Sequence, residues 1–300
     1  MVPHTALVAL ATLQTAAGPD PLRLPIGEPG ERLVTHGYTE MATGRALDAA
    51  GVAAMADGKR FVLLGESHDN PHHHRMQVEV ILALLERGRD VVVGLEMFTR
   101  PAQPKLAPWT LGWWTEEEFI ERSGWRTEWG FDFALYRPVF EAVRDHRLPM
   151  VALNVPRDWV RAVGRGGPEA LTEEQRRELP DLYLGNAEHR KVFEALIGGH
   201  PLAGDRGRNM YAAQVLWDEA MADTALRYFD RRAEGPRTVM VILAGSGHAM
   251  YRQGIDWRIT RRTGERVLTL VGTEAAGPVT VARGLADVVY VSPVVERAPR

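Results

Sequence analysis

The sequence predicts an α/β protein built on a mostly parallel sheet, and three observations carry that expectation. Short apolar runs recur at 61–64, 90–96, 150–155, 238–243, 267–271 and 288–291. They are near-continuous rather than alternating, as in strands covered on both faces. Helical patterns lie between most of them, which implies parallel strands joined by right-handed crossovers.

Taken in order, residues 18–34 are rich in Pro and Gly and predict an extended lead-in. A short helix over 47–56 ends at the turn pair Asp57-Gly58. After the strand at 61–64, Pro71 suits the first turn of a helix that runs to Arg87. Val78, Ile81, Leu82 and Leu85 fall at the spacing of a buried face there, and Gly88 is the stop. From 99 to 129 the chain is irregular, with Trp109, Trp113, Trp114, Trp125 and Trp129. These read as core filler under a long loop. Thr115 caps a short helix through Glu118 and Ile120. Residues 136–147 form a helix with Val139, Phe140 and Val143 inward. The stretch 156–235 is mainly helical, with segments at 169–179, 187–197 and 208–232, and is too long for one crossover. It reads as a helical insertion that caps the site.

With 300 residues, 45% hydrophobic, the chain suits a single α/β domain over about 35–295, the helical stretch included. A net charge of −3 sets up no strong field, so no nucleic-acid partner is expected. The absence of Cys excludes disulfides, thiolate nucleophiles, thiolate haem ligation and a lipidated N-terminal Cys. No apolar run reaches the roughly 18 residues of a membrane span. Residues 6–17 are small and apolar and end like a secretory leader, although 1–5 lack Lys and Arg and Gln14 interrupts the run. A leader over 1–20 and an exported or periplasmic location are therefore expected over a cytoplasmic one.

The chemistry concentrates at one kind of address. Glu66 and His68 follow the first buried strand, Glu96 ends the second, Asn154 nearly ends the third, and His248 follows the fourth. Ligands of open α/β sheets bind beyond the carboxyl ends of the strands. A carboxylate there must be paired or shift its pKa, so several converging ones predict a proton donor–acceptor set. Taken singly, each has a bland reading as a helix cap, a structural ion pair or a satisfied core imidazole. His72, His73 and His74 diverge by about 100° per residue and cannot all face one metal. His74 is the inward one, with Gln77 three residues on. His72 reads as solvated, and His73 stays undecided. Several motifs fail. H-E-x-x-H and a Walker loop are absent, Met250 stands where a dinucleotide loop needs Gly, and neither Ser67 nor Ser246 sits in G-x-S-x-G.

The segments G-E-S-H-D-N-P-H-H-H-R-M-Q (65–77), L-E-M-F (95–98), 129–138 with Tyr136, Q-V-L-W-D-E-A-M-A (214–222) and A-G-S-G-H (244–248) resemble the ChaN-like haem-binding uptake proteins. Those belong to a wider group with Tiki-type proteases and erythromycin esterases, and the G-x-x-H pairs Gly65–His68 and Gly245–His248 resemble that group's signature. The resemblance implies a three-layer α/β/α fold and haem, or another small molecule, bound in a pocket that a homodimer completes. Glu66, His68, His74, Gln77, Glu96, His248 and Tyr136 are then the expected lining. It also implies a Tyr iron ligand, with Tyr136, Tyr183, Tyr211 and Tyr251 as candidates; His and Met remain open. The alternative is a hydrolase, esterase or peptidase-like, in which Glu66, His68, Glu96 and His248 activate water directly or around a divalent metal. A retained fold with a vestigial pocket is the third reading.

Overall fold

Phe61, Val62, Leu63 and Leu64 are all fully buried, and they split between two cores. Val62 and Leu64 face one hydrophobic cluster, and Phe61 and Leu63 face the other. That period of two across a doubly covered strand makes the fold three layers deep. The computed structural model describes residues 18–27, 32–232 and 234–297. Most of the expected leader, residues 1–17, lies outside them.

The strands are β1 (Arg32–Thr35), β2 (Gly37–Glu40), β3 (Ala46–Leu47), β4 (Phe61–Glu66), β5 (Asp90–Thr99), β6 (Met150–Asn154), β7 (Thr238–Gly245), β8 (Leu268–Glu274), β9 (Val279–Ala282) and β10 (Val288–Ser292). Eight of them form the central sheet in the order β3-β2-β10-β8-β4-β7-β5-β6, while β1 pairs with β9 alone. From β10 to β6 every pairing is parallel, and β2 and β3 extend one edge antiparallel. The chain lays down β4, β5 and β6 to one side, returns to insert β7, and then continues with β8 and β10 on the other. The order therefore reverses at β4, and the crevice beyond its carboxyl end is the switch point.

The helices are α1 (Ala49–Met55), α2 (Pro71–Glu86), α3 (Ala107–Thr110), α4 (Glu116–Ser123), α5 (Trp125–Glu128), α6 (Phe133–Asp145), α7 (Arg157–Gly166), α8 (Glu173–Arg177), α9 (Ala187–Leu196), α10 (Gly204–Asp230) and α11 (Ile255–Thr263). α1, α2 and α6 supply the first layer; Trp109 and Trp125 are buried in its aromatic core. α9, α10 and α11 supply the second. Within 156–235, α10 thus covers the sheet over its C-terminal half, while its N-terminal half packs with α7 and α9. Among the described residues no helix is long and apolar enough to cross a membrane.

Two expectations need correcting. Of the predicted inward residues of α2, only Ile81 is fully buried, and Val78, Leu82 and Leu85 are half-buried. The buried arc runs instead through His73, His74, Met76, Gln77, Val80, Ile81, Ala83 and Leu84, because α2 is held by α1 on one flank and α6 on the other as well as by the sheet. The lead-in contains a 3₁₀ turn at Pro21–Arg23 and strand β1 rather than extended chain alone.

Candidate functional site

β4 ends on Glu66, whose carbonyl-end neighbours are fixed by two close approaches. A side chain on Gly65 would meet Ser246 Cα at 3.0 Å and Leu270 O at 3.1 Å. One on Gly245 would meet His68 Cε1 at 2.9 Å. A Cβ at Gly65 would crowd the backbone at Ser246 and Leu270, one at Gly245 would push His68 aside, and the imidazole of His68 packs directly on the β7 turn.

Glu66 is the hub of the first half. Its Oε1 accepts from Tyr136 OH at 2.7 Å and pairs with His68 Nδ1 at 2.7 Å. His74 Nδ1 lies 2.8 Å from Oε2, close enough for charge pairing, and among the described residues no well-aligned donor reaches Oε2. The ring of His74 rests on that of Tyr136, 3.9 Å between centroids. Burial would raise the Glu66 carboxyl, but His74 and then His68 hold it well below the usual range. Burial would lower the two imidazoles, and Glu66 raises both instead. His68 keeps 23% of its side chain exposed, and among the described residues nothing hydrogen-bonds its Nε2. Trp129 and Phe131 flank its ring at 4.7 and 5.2 Å.

Glu96 and His248 form the second half. Glu96 Oε2 accepts from Gly245 N at 2.7 Å, and its Oε1 lies 3.4 Å from His248 Nε2. On the far side His248 Nδ1 meets Asp218 Oδ1 at 2.6 Å, with Gln214 Nε2 at 3.2 Å. Asp218 is fully buried, and its Oδ2 lies 2.9 Å from His189 Nε2 and 3.8 Å from the guanidinium of Arg258. Against the opposing effect of burial, Glu96 and then Asp218 push the His248 imidazole up to about 10. Burial would also raise Asp218, yet Arg258, His248 and His189 hold it well below the carboxylate range. For His189 burial wins and lowers it despite Asp218.

The structure therefore brings Glu66, His68, His74 and Tyr136 together, and sets Glu96 and His248 against them across Gly245. Gln77 supports rather than lines: its Oε1 is 3.4 Å from His74 Nδ1 and its Nε2 donates to Leu64 O at 3.5 Å. Asn154 donates to Glu96 O at 3.1 Å. The undecided His73 is a core group, accepting from Ser67 N at 2.9 Å and donating to Thr273 O at 3.2 Å; burial lowers it. His72 is half-buried rather than solvated. Among the tyrosines, Tyr211 OH bonds Asn186 O at 3.0 Å and His189 Nδ1 at 3.1 Å, and Tyr251 OH is held between Pro21 O and Leu24 N. Only Tyr183 of the four candidates is exposed, stacked on Trp257. Among the described residues no three His, Asp or Glu side chains are placed to hold a metal ion.

Sequence reading missed Asp218, Gln214 and His189. A signal existed for the first two: Tyr211, Gln214, Val215, Asp218 and Ala222 share one face of α10 and are all buried, so polar residues interrupt an apolar stripe. His189 carries no such mark.

Fold and geometry together define an α/β protein with two carboxylate-oriented imidazoles at the switch point of a parallel sheet. The chain belongs to the family described as haem-binding uptake, Tiki superfamily, ChaN, whose model matches residues 52–259. Its fold is similar to that of ChaN of Campylobacter jejuni, solved with cofacial haem binding, at TM-score 0.65 and 17% identity, covering 87% of this chain and 96% of that one. An erythromycin esterase mutant in its open conformation matches at TM-score 0.45 and 14% identity, over 81% of this chain and 77% of the other. No curated protein matches the chain.

Proposed function

We propose that this chain binds haem at the crevice beyond β4, β5 and β7, in haem or iron uptake or handling, with His68 as the iron ligand. Membership of the haem-binding uptake family over residues 52–259 carries the reading. The chemistry of the donor set fits it. Haem iron takes one or two axial protein ligands, so a three-residue metal cluster is not required. His68 offers an Nε2 that is unbonded among the described residues, its ring is fixed by Glu66, and two aromatic rings stand beside it. A carboxylate on the other ring nitrogen orients such a ligand and makes it more basic. Iron coordination would take the place of the Nε2 proton. The hydroxyls of Tyr136, Tyr211 and Tyr251 are buried and already bonded, which disfavours them as ligands.

Titrating the full chain with haemin tests this. A saturable, shifted Soret band at one haem per chain is expected, and a featureless rise without saturation would sink the reading. The homodimer is part of the same proposal; sedimentation with and without haemin should show a second copy closing over the half-open His68 face.

A second reading rests on a specific observation. Glu96 stands between His248 and the β7 turn against which His68 packs, so two oriented imidazoles and a carboxylate face one crevice. That set suits general acid–base hydrolysis. Ester and peptide panels on the wild type and Glu66→Gln separate the two, since turnover lost in the variant would favour hydrolysis.

A further inference from the structure

We infer that Arg157 anchors a carboxylate of the ligand at the rim of this crevice, an inference that rests on the haem reading above. Arg157 opens α7, three residues after Asn154 ends β6, so the chain delivers it beside the strand ends. Its guanidinium reaches back to Trp129, where Nη2 donates to Trp129 O at 3.4 Å. The Trp129 ring in turn lies 4.7 Å from that of His68, and Glu96 of the strand-end cluster acts electrostatically on the guanidinium, so the cation stands near the cluster.

Arg157 is half-buried, and that long bond is its only one among the described residues. The comparison with other arginines makes this unusual. Arg100 and Arg262, similarly buried, meet Asp223 and Glu219, while Arg89 donates to three carbonyls at 2.6–2.8 Å. Arg157 has no such set. Glu128 and Glu96 are near enough to act on it electrostatically but form no salt bridge with it, and Arg161, one turn on, repels it. A guanidinium has five donors in a planar fork that matches a carboxylate two-on-two. Partly desolvated and short of partners, it is poised for an anion. Burial, the largest influence, lowers its pKa, and a bound carboxylate would offset that cost. The body of the ligand would lie on Trp129 and Phe131 with its centre toward His68. Haem has this layout, a flat apolar macrocycle edged by propionate carboxylates.

The test uses haemin and its dimethyl ester, in which the propionates carry no charge, on the full chain and on Arg157→Gln and Arg157→Lys. Charge-assisted hydrogen bonds predict that Arg157→Gln weakens haemin about 10- to 100-fold. The diester should bind wild type and Arg157→Gln alike, and Arg157→Lys should fall between, as a point charge without the fork. The Soret position should stay unchanged, because the iron ligand is untouched. Matching melting curves confirm that Arg157→Gln is folded. Equal affinity of wild type for haemin and diester, or full haemin affinity in Arg157→Gln, overturns this inference and leaves the haem reading standing. No saturable haemin binding in the wild type overturns both.

Discussion

The two halves of the strand-end cluster use the same parts to opposite ends. Each is an imidazole tied through Nδ1 to a buried carboxylate: His68 to Glu66, and His248 to Asp218. His68, however, keeps 23% of its side chain in solvent with Nε2 unbonded among the described residues, whereas His248 keeps 10% and faces Glu96 through Nε2. Behind Glu66 stand a phenol and a second imidazole. Behind Asp218 stand His189 and the buried guanidinium of Arg258. The difference teaches that an oriented imidazole is available as an iron ligand only where its second nitrogen is left open. Where both are engaged, the pair fixes charge and locks α10 to the β7 turn.

Breaking the closed half should give the largest effect. Asp218→Ala takes the carboxylate from buried His189 and one of two carboxylates from His248 and from Arg258, which keep Glu96 and Glu219. Loss of about 3–5 kcal/mol of stability is expected in denaturant unfolding. A loss below about 1 kcal/mol, within the range of an exposed pair, would mean that the closed half is not a buried lock.

The open half should respond in binding rather than folding. Glu66→Gln removes the carboxylate that orients His68, and haemin affinity should fall on the order of 10- to 100-fold. Unchanged affinity would separate Glu66 from the ligand. Tyr136→Phe removes one charge-assisted bond to Glu66 and should cost about 1.5–3 kcal/mol of stability while leaving the Soret maximum in place. Disappearance of the band in that variant would make Tyr136 the iron ligand instead of His68.

A pH series sharpens the contrast further. The His248 imidazole, raised to about 10, contributes stability that is complete below its ordinary pKa and fades as pH climbs toward 10. Glu66, Glu96 and Asp218 are lowered, so their contribution is present above the ordinary carboxylate range and fades as pH falls. Thermal midpoints should therefore decline on both flanks. His248→Gln should make the alkaline decline shallower, and the raised His68 and His74 imidazoles account for the part that remains.

How much of this was legible follows from how each part is encoded. The six parallel strands announce themselves because a strand buried on both faces is an apolar run, and the carboxylates and imidazoles at their ends could be placed by address alone. β2, β3 and the β1–β9 pair are short and mixed in character, and they gave no comparable run. α11 was hidden by its own surface: IDWRITRRT looks polar, and its burial rests on Ile255, Asp256, Arg258 and Ile259. The open half of the cluster lies within 61–77 apart from Tyr136, and so could be read locally. Its counterpart could not, since Asp218 and His189 reach His248 only through the packing of α9 and α10. The stripe on α2 was misplaced because three neighbours, not one, decide which residues are covered.

The most direct test of the account is a paired haemin titration of the wild type and His68→Ala. The account predicts a shifted Soret band saturating at one haem per chain in the wild type and no saturable band in a folded His68→Ala. Identical curves for the two proteins would contradict it.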